Sequence, residues 1–186
     1  MYFERQGKQN TEETIRIAFE QAKELGIHDV VIATSTGLSL DYVTDAQAKG
    51  FNVVAVTCAY GSKNLNENRV PEEKRAELLA RGIKVCTAAH VLSGAERGIS
   101  TKLGGYGPVE IMAHTLRMFG QGTKVCVEVA VMAADAGLIP SGTPIISVGG
   151  TGGGEDTAIV MRVATANKIL DTKIDRILCK PIVQGI

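Results

Sequence analysis

Six consecutive residues, Thr34-Ser35-Thr36-Gly37-Leu38-Ser39, set four hydroxyls around one glycine. They follow the short apolar run Asp29–Ala33 and precede a segment, Leu38–Lys49, that is predicted to be helical and to end at Gly50. Amide N–H groups at the start of a helix lack intrahelical partners, and the helix dipole favours negative charge there. With hydroxyls as added donors, such a turn suits a phosphate. The same residues also serve a plainer purpose, in which Ser35 or Thr36 caps the helix and Gly37 relieves the turn. No Lys follows the glycine and the G-x-G-x-x-G pattern is absent, so the turn is neither a P-loop nor a dinucleotide fingerprint.

Two further stretches qualify. Gly149-Gly150-Thr151-Gly152-Gly153-Gly154 carries five glycines, more than a hairpin needs, and lets main chain approach a ligand closely. A plain surface loop is the alternative. Arg97–Gly107, with Ser100, Thr101, Lys102, Gly104 and Gly105, reads as a lid over an anion or as a solvated loop. Glu128 stands alone in an apolar run, and once buried it must be neutral or paired with a Lys or a backbone group. His28, His90 and His114 have no nucleophile at a suggestive spacing and read as structural. No catalytic triad, H-E-x-x-H or carboxylate pair can be assembled, so no catalytic residue is assigned. Cys58, Cys86, Cys126 and Cys179 lie far apart without C-x-x-C or zinc spacing and read as reduced structural thiols; no metal site is expected.

The elements that must position these residues follow from periodicity. Asn10 precedes Thr11-Glu12-Glu13 as a side-chain cap, Ile15, Ala18, Phe19, Ala22 and Leu25 recur at helical spacing, and Gly26 closes the helix. Asp29–Ala33 and Asn52–Thr57 read as strands buried on both faces, Pro71 opens a charged helix ending at Gly82, and Ile83–Thr87 completes a βαβαβ unit. Ala88–Gly107 reads as a long irregular connection. Pro108 opens a helix that stops at Gly120. Thr123–Ala136 is read as a second helix from its length, its Ala-rich end and Gly137, although Val125, Val127, Val129 and Val131 alternate as a strand would. Strands Pro144–Val148, Thr157–Val163 and Ile174–Cys179 finish a three-layer α/β fold: a mostly parallel mixed sheet with helices on both faces.

The length, 186 residues, suits one α/β domain over 1–186. Twenty basic and twenty acidic residues cancel without a basic run, which argues against nucleic acid and membrane surfaces as partners. Met1–Gly7 lacks the apolar core of a secretory signal, and a cytoplasmic location is expected. The apolar Thr123–Ala136 segment suggests a homo-oligomer.

Val30-Val-Ile-Ala-Thr-Ser-Thr-Gly-Leu-Ser39, followed by Val53-Val-Ala-Val-Thr57, resembles the C-terminal α/β domain of pyruvate kinase. There, a strand ends in a Thr/Ser-rich turn that grips a phosphate of a sugar bisphosphate effector. Gly137-Leu-Ile-Pro-Ser-Gly-Thr-Pro-Ile-Ile-Ser-Val-Gly-Gly150, running on to Met161-Arg-Val163, resembles the same domain's closing strands and effector loop. Over almost its whole length the sequence is similar to the stand-alone pyruvate kinase α/β-domain-like proteins, through Gly98-Ile-Ser, Gly104-Gly105, Pro108-Val-Glu-Ile-Met, Thr115-Leu-Arg-Met, Lys124-Val-Cys-Val-Glu128 and Ala133–Pro140. The catalytic barrel of the kinase needs about 250 residues, so kinase activity is not expected. The effector loop of the pyruvate kinase domain carries large side chains, including a Trp, where this chain has Thr151–Gly154. The resemblance implies a flatter ligand than a sugar bisphosphate, with flavin mononucleotide (FMN) as the suspected cofactor. It implies a site of Thr34, Ser35, Thr36, Gly37, Ser39, Thr57, Lys102, Gly104, Gly105, Gly149, Gly150, Thr151, Gly152, Gly153, Asp156 and Thr157. A non-catalytic module that senses a phosphorylated metabolite is the alternative.

Overall fold

A computed structural model describes residues 1–44 and 49–182. The elements run β1 (Tyr2–Phe3), α1 (Thr11–Leu25), β2 (Asp29–Thr34), β3 (Asn52–Thr57), α2 (Glu72–Ala80), β4 (Lys84–Cys86), α3 (Ala95–Leu103), α4 (Pro108–Arg117), α5 (Gln121–Asp135), β5 (Pro144–Gly149), β6 (Thr157–Arg162) and β7 (Lys173–Pro181), with 3-10 turns at Lys8–Asn10, Leu38–Tyr42 and Ala166–Asp171. The seven strands form one sheet in the order β1-β7-β6-β5-β2-β3-β4. Pairs β1–β7, β5–β2, β2–β3 and β3–β4 are parallel, whereas β5–β6 and β6–β7 are antiparallel. This is the mostly parallel mixed sheet that the alternation of strands and helices predicts.

Side chains of successive strand residues alternate between the two faces, and each face is covered. Val30, Ile32, Val53, Ala55, Ile146 and Val148 pack with Ile15, Ala18 and Ala22 of α1 and with Leu78 of α2. Val31, Val54, Val56, Ile145, Ile159 and Met161 pack instead with α5 and with Ala113 of α4. The valine alternation in α5 is not a strand. Gly122 to Ala134 is buried almost continuously, against the sheet on one side and α4 on the other, so valine is welcome all round the helix. That burial is intramolecular, and it removes the reason for reading the segment as an oligomer surface.

Two elements depart from expectation. The helix predicted over Leu38–Lys49 is a five-residue 3-10 turn that becomes extended at Val43. The Arg81 guanidinium takes the Leu40 and Val43 carbonyls at 2.8 and 2.5 Å, and this bonding ends the turn at the β-branched Val43-Thr44 pair. Positions 45–48 of that prediction lie outside the described residues. Conversely, the irregular connection from Ala88 to Gly107 contains α3. Its glycine, Gly98, faces open space, so the helix is tolerated around it. Asn10 does not cap α1 through its side chain. Its amide donates instead to the Arg5 carbonyl at 2.6 Å, fastening the N-terminal segment.

Candidate functional site

The chain leaves β2 toward β3 on one side, while β5 lies on the other, so the order of the sheet reverses at β2. Ligands of open α/β sheets bind in the crevice beyond the carboxyl ends of strands at such a switch point. Here the turn after β2 and the glycine loop after β5 leave the sheet side by side, because Val30 pairs with Ile146 and Ile32 with Val148. Between them opens a cleft of about 680 Å³, lined by Ser35, Thr36, Leu38 and Ser39, by Asp41 and Tyr42, by Gly152 and Gly153, and by Lys8, Thr11 and Arg69. The volume falls in the range of small-molecule sites, roughly 300–1,000 Å³.

The hydroxyls of the turn divide into two kinds. Thr34 Oγ1 accepts from the Gly37 amide at 3.0 Å and from the Ser39 hydroxyl at 2.9 Å, and Thr34 itself is buried. Thr34 therefore holds the turn in shape, and the Gly37 amide is spent on it rather than offered to a ligand. Ser35 is half-buried and Thr36 exposed, and both line the cleft. Neither the side chain nor the amide of Thr36 has a hydrogen-bond partner among the described residues. Gly37 adopts φ +88°, and a Cβ there would sit 2.7 Å from Lys74 Cγ, so glycine is required by both conformation and space.

The glycine loop divides in the same way. Cβ atoms at Gly149, Gly150 and Gly154 would lie 2.9, 2.0 and 2.4 Å from the Gly122 carbonyl oxygen, the Gly154 carbonyl oxygen and Lys8 Cα, so these three serve close packing. Only Gly152 and Gly153 face the cleft; beside them, Thr151 is half-buried. Behind the loop, Asp156 is fully buried, its carboxylate accepting from the Gly7 amide at 2.9 Å and the Thr157 hydroxyl at 2.8 Å. Asp156 and Thr157 are thus framework for the site rather than its surface. The same holds for Thr57, whose hydroxyl is shared with Thr87, at 2.7 Å, and with the Cys58 and Cys86 carbonyls. Lys102, Gly104 and Gly105 are exposed at the end of α3, which packs on α4, and they do not line the cleft.

The cleft also gathers residues that periodicity and motif do not single out. Lys8 comes from the N-terminal 3-10 turn and Arg69 from the polar loop after β3; each reads in sequence as a solvated charge. The Lys8 ammonium has no partner among the described residues, and Arg69 makes only a 3.5 Å contact to the Cys58 thiol, so both cations stay available. On the rim, Asp41 is held by the Lys74 ammonium. Leu38 and Tyr42, 63% and 48% exposed, provide apolar surface next to the open glycines.

Glu128 lies elsewhere, between α5 and the segment before α3. Its carboxylate accepts from the Leu92 amide at 3.0 Å, the Ser93 hydroxyl at 2.9 Å and the Lys124 ammonium at 2.5 Å, with His90 Nδ1 at 3.7 Å. Burial pulls Lys124 below the ordinary lysine range, although Glu128 opposes the shift. The satisfied pair staples the connection to α5. The four thiols are free, and burial pushes Cys126 well above the usual thiol range, which makes it an inert packing residue. Among the described residues, no three His, Cys, Asp or Glu side chains cluster to hold a metal ion, and no helix is long and apolar enough to cross a membrane.

The chain is thus an α/β domain built on an open, mostly parallel sheet, with a cleft at its switch point. The chain belongs to the pyruvate kinase alpha/beta domain family, which it matches over residues 12–164, a stretch that includes both the turn and the glycine loop but not Lys8. Among solved structures, it is similar to a pyruvate kinase from Cryptosporidium parvum, with 17% identity, 82% of this chain and 22% of that chain covered, and a TM-score of 0.42. It is also similar to the Cryptosporidium parvum pyruvate kinase in complex with ADP, with 17% identity, 74% and 20% covered, and a TM-score of 0.37. The chain spans about a fifth of the length of these kinases.

Proposed function

We propose that the cleft binds a phosphate-bearing small molecule, and that the molecule is flavin mononucleotide. The observation that carries this reading is the convergence of two available cations, Lys8 and Arg69, on the Ser35 and Thr36 hydroxyls across from Gly152 and Gly153. Cations and hydroxyls form charge-assisted hydrogen bonds to phosphate oxygens, while glycines leave room for a flat ring. The exposed faces of Tyr42 and Leu38 supply the apolar contact that such a ring seeks. The bound group would bring redox chemistry of its own. The chain's part is to hold the phosphate and shield the ring, and no residue of the cleft is assigned to a reaction.

The test is a titration of the purified protein with flavin mononucleotide and, separately, with riboflavin, which has the ring but no phosphate. Flavin absorbance that shifts on binding, with riboflavin bound at least tenfold more weakly, supports the proposal. Uptake of neither sinks it. The alternative, a regulatory module that assembles as a homo-oligomer and senses another phosphorylated metabolite, draws on a second observation. Leu103, Tyr106, Ile111, Met118 and Phe119 are large apolar side chains exposed on and beside α3 and α4. Binding of sugar phosphates in place of flavin, by a protein that sediments as an oligomer, favours that alternative.

A further inference from the structure

Behind the wall of the cleft sits a carboxyl group that the binding site does not use directly. Glu155 is 3% exposed, and its Oε2 is buried without a hydrogen-bond partner. Its main chain is fixed on both sides: the amide donates to Thr11 Oγ1 at 3.0 Å and the carbonyl accepts from Thr14 Oγ1 at 3.4 Å. Thr11 and Ser39, its neighbours on α1 and on the turn after β2, are themselves cleft-lining residues. We infer that Glu155 decides whether the cleft accepts an anion: the side chain holds a proton behind Thr11 and Ser39, and the anion is lost when that proton leaves.

The surroundings give the reason. An isolated carboxylate is too costly to bury, so an unpaired one keeps its proton. Within the loop, the neighbouring Asp156 carboxylate already receives the Gly7 amide and the Thr157 hydroxyl, and its charge opposes a second one. From α1, the Thr11 and Thr14 hydroxyls bond the Glu155 main chain, and on the turn the Ser39 hydroxyl donates to Thr34. From α5 comes the buried Cys126 thiol, itself raised in part by Glu155. Lys8 packs against Gly154, yet its ammonium has no ion-pair partner among the described residues. Burial first and Asp156 second push Glu155 well above the usual carboxylate range, the Ser39 hydroxyl opposing them. Thr11 lines the cleft and is bonded to the Glu155 amide, so an ionised Glu155 sets a negative charge behind the wall against which an anion would rest, whereas a neutral one does not. Glu155 is therefore not a contact residue; it acts on the anion through its charge.

This inference rests on the cleft being the anion site, and the test separates the two ideas. Sulfate is the probe, because it does not titrate between about pH 5 and pH 9. With one proton linked to binding, wild-type affinity falls about tenfold per pH unit once pH exceeds the Glu155 pKa. Glu155→Gln, neutral throughout, keeps the low-pH affinity and shows no such fall. The infrared band of a protonated carboxyl in wild type gives a readout independent of that variant's folding: it is present at neutral pH, and sulfate moves its disappearance to higher pH. A flat wild-type profile, a Gln variant with the same slope, or no protonated carboxyl at neutral pH overturns the role of Glu155 while leaving the cleft as a binding site. If sulfate and flavin mononucleotide both fail to bind at pH 5, the cleft reading falls and takes this inference with it.

Discussion

Two threonines two positions apart have opposite duties, and substitution separates them. Thr36 is exposed in the cleft and has no hydrogen-bond partner among the described residues, so with a phosphate bound as proposed Thr36→Ala removes a donor to a charged acceptor, worth about 1.5–3 kcal/mol of binding, with unfolding free energy almost unchanged. Flavin mononucleotide affinity is expected to drop about ten- to a hundredfold in a fluorescence titration. Thr34→Val, by contrast, strips the Gly37 amide and the Ser39 hydroxyl of their acceptor, and an orphaned buried donor costs about 1–3 kcal/mol of stability. Urea unfolding reads that loss directly. A Thr36 variant that unfolds early but binds normally would reverse the two roles. In sequence the two threonines are indistinguishable, because what divides them is which way each faces around a glycine at positive φ. Arg69 and Lys8 were illegible for a related reason: a lone cation on a polar segment reads as solvated, and only the chain's return past β2 brings both to one cleft.

At the scale of elements, the cleft wall from Leu38 to Tyr42 depends on one distant side chain. Arg81, just after α2, bonds the Leu40 and Val43 carbonyls and pairs with Glu77 at 3.0 Å. The exposed ion pair is worth little, whereas truncating Arg81 takes the side-chain donor from the Val43 carbonyl and leaves the Leu40 carbonyl with the Val43 amide alone. Arg81→Ala is expected to lower unfolding free energy by about 1–2 kcal/mol and to speed amide exchange in the Leu38–Tyr42 turn more than in β2. Uniform exchange across both segments would mean that Arg81 supports the core rather than the wall. Strands and most helices were legible because their patterns are local: β-branched runs for the buried strands, glycines closing α1 and α2, Pro108 opening α4. The turn after β2 reads in sequence as a long helix because its terminator, Arg81, lies some forty positions away. The α3 helix was missed because glycines on either side and within it outweighed its Ala, Glu, Arg and Lys content.

At the scale of the whole molecule, a buried acid couples stability to pH. Glu155 has a native pKa raised well above its ordinary value of 4.5, chiefly by burial. Between that ordinary value and the raised one, the native state therefore holds more protons than the unfolded chain. The contribution of Glu155 to stability is fully present below about pH 4.5 and is lost as pH rises through the native pKa. Within that window the slope approaches about 1.4 kcal/mol per pH unit for one proton. Other groups titrate along the way, Lys124 in the opposite sense, because its lowered pKa adds stability as pH climbs toward 10.5. The difference between wild type and Glu155→Gln cancels those shared contributions. Chemical denaturation across a pH series is expected to show the Gln variant gaining on wild type as pH rises, with no relative gain at the acid end. A constant difference at every pH would mean that Glu155 titrates alike in the native and unfolded chain, the outcome that burial of its unpaired Oε2 argues against.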